Sequence, residues 1–170
     1  TTTRGALAEK KALAAGRSFA NYAFYLGATN NNIEEIRRLT PGEACGVKVF
    51  MGSSTGDMLV DDPRKLEQIF SEASCLVATH CEDSPMIRAA EDEYRQRYGE
   101  NVPMSAHPYI RSEEACYQSS SLAVDLAKRH QTQLHVLHLS TARELELFTQ
   151  GPIEGKSITA EVCVHHLWFD

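Results

Sequence analysis

Long apolar runs and an excess of basic residues are both lacking in this sequence of 170 residues. A membrane-spanning helix needs about 20 mostly apolar residues, so no span is predicted, and no signal peptide is recognisable. The 17 Lys and Arg stand against 23 Asp and Glu, and the net charge is −6. A surface that binds nucleic acid is basic. We therefore expect neither a membrane nor a nucleic-acid partner.

Paired cysteines are lacking as well. The cysteines form no CxxC pair and are five in number: Cys45, Cys75, Cys81, Cys116 and Cys163. This usage is typical of reduced thiols that pack as small apolar side chains, and a disulfide framework would show an even count. The sequence thus predicts a reducing, cytoplasmic compartment.

No predicted strand is followed by a glycine-rich phosphate-binding turn; the sequence instead alternates helical and strand patterns. Five segments have strand patterns, namely 18–26, 46–51, 75–79, 133–139 and 157–164. Helices are predicted between them, with starts marked by Pro63, Ser84-Pro85 and Ser112, and another at 142–148. This alternation predicts an α/β fold with a parallel sheet, either doubly wound or closed as a TIM (β/α)8 barrel.

Three of these strands carry or end in a side chain suited to chemistry. Lys48 lies inside an apolar strand, where an unpaired charge is destabilising, and His80 and His138 end two later strands. A barrel collects such residues at the carboxyl ends of its strands, whereas an open sheet does so mainly at one switch point. The sequence therefore predicts a TIM barrel in which Lys48, His80 and His138 share one site.

Other polar residues near these strands leave alternatives open. His135 precedes His138 by three residues, so alternation along a strand predicts that it faces the other side. Glu82-Asp83 fit either a solvent-exposed turn or a set of contacts that orients His80. His165-His166 are predicted to be loop residues after the last strand.

Three motifs in order resemble those of the cyclic amidohydrolases, a family within the amidohydrolase superfamily that includes dihydroorotases, hydantoinases and allantoinases. They are KVFMGSST (48–55), THCED (79–83) and LHLSTARE (137–144). The segments IRSEEA (110–115) and EVCVHHL (161–167) extend the resemblance over nearly the whole chain. It implies a metal-dependent hydrolase built on a TIM barrel.

The resemblance also implies roles for particular residues. Lys48 would be carboxylated and bridge two Zn²⁺ ions, and His80 and His138 would bind one of them. A buried lysine loses its charge readily, so its amine can add carbon dioxide and become an anionic oxygen ligand. Ser53 and Ser54 are expected to contact the substrate. A metal-bound hydroxide would then open a cyclic amide.

Within the family, the segment 48–62 is most similar to bacterial dihydroorotases. Hydantoinases tend to carry a tyrosine five residues after the lysine, where this chain has Ser53. The implied activity is reversible hydrolysis of dihydroorotate to N-carbamoyl-aspartate in pyrimidine biosynthesis. The alternatives are a hydantoinase (dihydropyrimidinase), an allantoinase, or a catalytically inactive dihydroorotase-like scaffold.

Some of the family's features have no counterpart in the sequence. They are the His-x-His pair of strand one, the strand-eight aspartate that acts as general base, and a small flanking β domain. The resemblance therefore implies that residues 1–170 are part of a catalytic barrel, about strands three to seven, with the general base downstream of Asp170. We expect this segment alone to be inactive, and the complete protein to act on a small cyclic amide as a homodimer or higher homo-oligomer.

Overall fold

The computed structural model describes residues 1–54 and 56–169, so that Thr55, which ends the first motif, and Asp170 lie outside the described residues. The strands are β1 (Leu26–Gly27), β2 (Val47–Phe50), β3 (Val77–His80), β4 (Leu134–Val136) and β5 (Ile158–Ala160). The α-helices are α1 (Arg4–Ala14), α2 (Ile33–Arg37), α3 (Pro63–Glu72), α4 (Ser84–Tyr98), α5 (His107–Ile110) and α6 (Glu113–His130). Turns of 3₁₀ helix cover Met104–Ala106, Arg143–Leu147 and Val164–Leu167.

All pairings between the described strands are parallel, and the strands lie in the order β1-β2-β3-β4-β5. Their order in space is thus their order in the sequence. A doubly wound sheet would reverse this order at a switch point, and the described strands contain no such reversal. Five consecutive parallel strands with helices between them form an arc of a TIM barrel. The predicted α/β barrel architecture is confirmed.

The helices that cover the sheet begin where the sequence predicts. α3 begins at Pro63, and the carboxylate of Asp62 accepts the backbone N–H of Arg64. α6 follows Ser112, whose hydroxyl accepts the backbone N–H of Ala115. These caps satisfy amide donors that have no partner inside a helix. No helix among the described residues is both long and apolar enough to cross a bilayer.

The hydrophobic core lies between the sheet and the helices. Val47 and Val49 of β2 and Val77 of β3 are fully buried there, packed with Ile69 and Phe70 of α3. Burying each such side chain stabilises the fold by roughly 1.5–3 kcal/mol. Since side chains alternate across a strand, the residues between these valines point to the opposite face of the sheet. That opposite face carries the polar residues of the site.

The structure corrects four of the predicted elements. The strand predicted at 133–139 ends at Val136. The strand predicted at 18–26 is reduced to Leu26–Gly27, because the aromatic residues before it, such as Phe19 and Tyr22, are exposed and pair with no strand. The helix predicted at 142–148 is a 3₁₀ turn. The last strand ends at Ala160, since Val164–Leu167 turns away as a 3₁₀ helix.

Candidate metal centre

Strand register puts Lys48 and His80 on the same face of the sheet. Lys48 is in register with Ala78, and His80 is in register with Phe50, two residues beyond Lys48. Residues two apart on a strand share a face. His138 lies just past the end of β4, where its positive φ of 40° turns the chain. The three predicted ligands therefore lie at neighbouring strands, with both histidines at the carboxyl ends.

The two histidines are in direct contact. Nδ1 of His80 lies 3.2 Å from Nε2 of His138, and the two rings meet edge to face. In a tetrahedral zinc site with Zn–N bonds of 2.0–2.1 Å, two nitrogen ligands lie about 3.3 Å apart. The spacing of these two nitrogens thus fits a shared metal ion.

Glu82 and Arg111 hold His80 in this orientation. Nε2 of His80 lies 3.0 Å from Oε2 of Glu82, and Nη1 of Arg111 donates to both oxygens of that carboxylate at 2.7 and 2.6 Å. A carboxylate only accepts, so Nε2 carries the hydrogen and Nδ1 of the neutral ring is free to bind a metal. Of the two alternatives for Glu82, the structure shows the orienting contact. Asp83 instead caps α4 by accepting the backbone N–H of Met86.

The environment of Glu82 keeps it ionised. Burial by itself would raise the pKa of this carboxyl, but hydrogen bonds from His80, Ser53 and Arg111 lower the pKa to about 2. Only a tenth of the side chain is exposed. The carboxylate therefore stays charged, and its contact to His80 is kept, at any pH near neutrality.

Lys48 is a buried amine without a hydrogen bond. Its Nζ is shielded from solvent and has no hydrogen-bond partner among the described residues, and it lies 4.4 Å from the ring centre of Phe50. Burial lowers the pKa of Lys48 to about 8, although Cys81 and Glu161 act in the opposite direction. Burial without a hydrogen-bond partner disfavours the charged form, so a larger fraction of this amine is neutral near pH 8 than of an exposed lysine. The neutral form is the state in which an amine can add carbon dioxide.

Electrostatics also favours a neutral His138. Burial, the neighbouring His80 and the nearby Lys48 together lower the pKa of His138 below its ordinary value. Neutral imidazole is the form that binds metal. Beside the two histidines lies a cavity of about 50 Å³ with Glu82 in its wall. The two imidazoles and the space beside them therefore suit a small cation such as Zn²⁺, while Lys48 is not among the residues that line this cavity.

Two thiols close to this cavity are not nucleophiles. Burial raises the pKa of Cys81 to about 11 and that of Cys116 to about 12. Both remain thiols at neutral pH, whereas a reactive cysteine needs a thiolate. A cysteine-based mechanism at this cavity is thereby disfavoured.

The loop after β2 approaches the centre through Gly52 and Ser53. A Cβ at Gly52 would lie 2.4 Å from the backbone oxygen of Glu82, so only glycine fits at this position. Ser53 has a positive φ of 40°, and its side chain hydrogen-bonds the Glu82 carboxylate. Ser54 follows and is half-buried. Contact of Ser53 and Ser54 with a substrate stays a prediction.

The prediction that His135 faces away from the site is wrong. In register, Lys48, Ala78 and His135 form one row across three strands, so His135 shares the face of Lys48. The prediction assumed that side chains alternate along one strand from His135 to His138. That alternation stops because β4 ends at Val136 and the chain turns at His138. His135 hydrogen-bonds Thr159 at 2.9 Å on the neighbouring strand.

Sequence reasoning assigned no role to Arg111 and Glu161. Arg111 contacts the centre from the segment before α6. Oε2 of Glu161 lies 3.3 Å from Nε2 of His135, and the charge of Glu161 partly opposes the lowering of the Lys48 pKa by burial. Arg111 stands inside a motif that carries the family resemblance, and this was the available signal. Its contact with Glu82, far away in the sequence, could not be inferred from local pattern.

The Glu82–Arg111 pair yields a prediction. Glu82→Gln removes the charged acceptor that fixes the His80 ring, so zinc affinity should fall by about 10- to 100-fold, measured by competition with a chelator. The matched control is Glu67→Gln. Glu67 pairs with Arg129 and His130 on the surface, and its replacement should leave zinc affinity unchanged. Equal zinc affinity in Glu82→Gln and the unmodified protein would contradict the orienting role.

Comparison with known proteins gives related sequences over the whole chain. It is 30% identical to an allantoinase of Streptomyces avermitilis over 173 residues, which cover 98% of this chain and 37% of the relative. It is 31% identical to an L-hydantoinase of Paenarthrobacter aurescens over 168 residues, covering 95% and 36%. A dihydroorotase of Methanosphaera stadtmanae is 26% identical over 179 residues, covering 100% and 38%. No protein-family model matches the chain.

Solved structures of hydantoinases have the same fold as this chain. An L-hydantoinase from Arthrobacter aurescens superposes with a TM-score of 0.84 at 29% identity, over 95% of this chain and 36% of that one. A D-hydantoinase superposes with a TM-score of 0.82 at 21% identity and supports the fold alone. The chain thus spans little more than a third of the length of the relatives it matches. By sequence and by fold, it is a homologue of the cyclic amidohydrolases, a family of hydrolases.

Proposed function

We propose that the protein carrying this chain hydrolyses a cyclic amide at a metal centre held by Lys48, His80 and His138. The observation that carries the proposal is a buried Lys48 amine without a hydrogen bond, on the same sheet face as His80. His80 in turn has a ring nitrogen 3.2 Å from one of His138. Burying an amine without a hydrogen-bond partner lowers the stability of the folded protein, so a functional role explains this residue better than a structural one.

Lys48 becomes a ligand by reaction with carbon dioxide. The lone pair of neutral Nζ would attack the carbon, an N–C bond would form as one C=O π pair moves to oxygen, and one proton would leave to solvent, so that a carbamate anion would result. Its oxygens would be anionic ligands for the metal ions, and His80 and His138 would add neutral nitrogen donors, with His80 held by Glu82 and Arg111. When bound, divalent metal ions supply a Lewis acid for the amide carbonyl and lower the pKa of water.

Dihydroorotate is the substrate we propose. The support is Ser53, at the position where hydantoinases tend to carry a tyrosine. The relatives include dihydroorotases, hydantoinases and allantoinases, so hydantoins and allantoin are the alternative cyclic amides. All three substrates contain a ring amide that the same chemistry would open.

The test is turnover by the protein that carries this chain, supplied with zinc and bicarbonate. Dihydroorotate, allantoin and a hydantoin are compared by kcat/KM, and dihydroorotate should exceed the others by at least about tenfold, equivalent to about 1.4 kcal/mol. Faster turnover of allantoin or the hydantoin would reject dihydroorotate and retain the metal-dependent hydrolase. Bound zinc without turnover of any of the three would contradict hydrolysis and favour the inactive scaffold.

A further inference from the structure

We propose a second metal site, formed by Cys163, His165 and His166, that takes a zinc-like divalent cation. These residues directly follow the last strand, in and beside the 3₁₀ turn Val164–Leu167. One ligand atom from each lies within 4.8 Å of the other two. One turn of backbone therefore brings three donors together without help from distant parts of the chain.

The orientation of His166 supports this site. Its Nδ1 lies 2.9 Å from the backbone oxygen of Leu139, a contact in which the ring nitrogen must donate. The neutral ring then carries no hydrogen on Nε2, which is free to bind a metal. Metal-binding histidines almost always have their other nitrogen held in this way by a carbonyl or carboxylate. The hydrogen bond thus selects the ring form that a metal needs.

The donor types determine the class of cation. One thiolate and two imidazoles suit zinc and its transition-metal neighbours, while magnesium and calcium prefer oxygen ligands. Three protein donors would leave the fourth position of a tetrahedral site to water. On binding, the Cys163 thiol loses its proton to solvent and an S–metal bond forms.

The position of the site suggests what the metal would do. Leu139, whose carbonyl holds His166, directly follows His138 of the first centre. A metal on Cys163, His165 and His166 would fasten the segment after β5 to the exit of β4. It would thereby stabilise the chain immediately beside His138.

Cobalt substitution distinguishes this site from the first centre. The first centre offers lysine and histidine, whereas Cys163 would give a thiolate-to-cobalt charge-transfer absorption in the near ultraviolet. The protein that carries this chain, with His80→Ala and His138→Ala and kept reduced, is titrated with Co²⁺. We expect this absorption to saturate at one Co²⁺ per chain. Cys163→Ser should abolish it, and His165→Ala, which changes an exposed side chain, should weaken Co²⁺ binding by at least about tenfold.

Two matched variants identify the thiolate. Cys45→Ser changes an exposed cysteine and should leave the absorption intact. Cys81→Ser tests the thiol beside the first centre, and it too should leave the absorption intact. Absence of the absorption in the parent chain, its persistence in Cys163→Ser, or its loss in Cys81→Ser would each overturn the proposal.

Discussion

Lys48→Met is expected to abolish metal binding at the first centre and at the same time to make the metal-free chain more stable. The substitution keeps an apolar side chain of similar length in a packed site and removes a buried amine that has no hydrogen bond. Removing such a group should raise the free energy of unfolding by roughly 1–3 kcal/mol. Zinc content and thermal melting are measured on the same samples. A residue kept for stability would show the opposite change in melting temperature.

The pH dependence gives this prediction a second readout. Because burial lowers the pKa of Lys48 to about 8, the unfolded chain binds more protons than the folded chain between about pH 8 and the ordinary lysine value of 10.5. The free energy of unfolding contributed by Lys48 should therefore rise with pH across this window, in the metal-free chain. Lys48→Met should lack that rise, and Lys128→Met, on the exposed surface of α6, should keep it.

Chemical rescue tests the carbamate directly. Lys48→Ala leaves room for a short carboxylic acid, whose oxygens can replace those of the carbamate. Added acetate or propionate should restore part of the metal content and part of the turnover, whereas chloride at equal ionic strength should not. Full zinc content in Lys48→Ala without any added acid would contradict the bridging role.

Removal of either histidine is expected to have the other large effect. His80→Ala and His138→Ala should each lose about one metal ion per chain and reduce kcat/KM by several orders of magnitude, because the proposed hydrolysis depends on the metal. Metal content by elemental analysis and turnover of dihydroorotate are the measurements. Since the two side chains would bind the same ion, the double variant should lose no more metal than either single one.

A histidine outside the site provides the control for these variants. His130 is half-buried and contacts Glu67 at 2.5 Å, much as His80 contacts Glu82, but it lies at the end of α6. His130→Ala should keep full metal content. His135 does not serve as a control, because the register puts it on the face of Lys48. Equal loss of metal in His130→Ala would show that the variants act through stability and not through ligation.

The order of elements could be predicted from the sequence because its signals are local. Alternation of apolar strands with helical segments indicated a parallel sheet, and Pro63 and Ser112 marked helix starts that the structure confirms. A lysine within an apolar strand and histidines at the ends of two later strands indicated one site, since barrel topology brings strand ends together. These inferences depend on side-chain pattern over a few residues at a time.

Contacts between distant segments depended on tertiary structure. The ion pair between Arg111 and Glu82 joins two segments at the carboxyl end of the sheet that are far apart in the sequence. No local sequence pattern indicates that these two side chains are in contact. The face of His135 depended on where β4 ends and on the left-handed turn at His138, which breaks the alternation that a strand would continue. The sequence by itself determined the residue types, the element order and the three candidate ligands. The tertiary structure decided which other side chains lie beside these ligands. Strand register, backbone turns and burial depend on packing between segments far apart in the chain, which a local pattern does not contain.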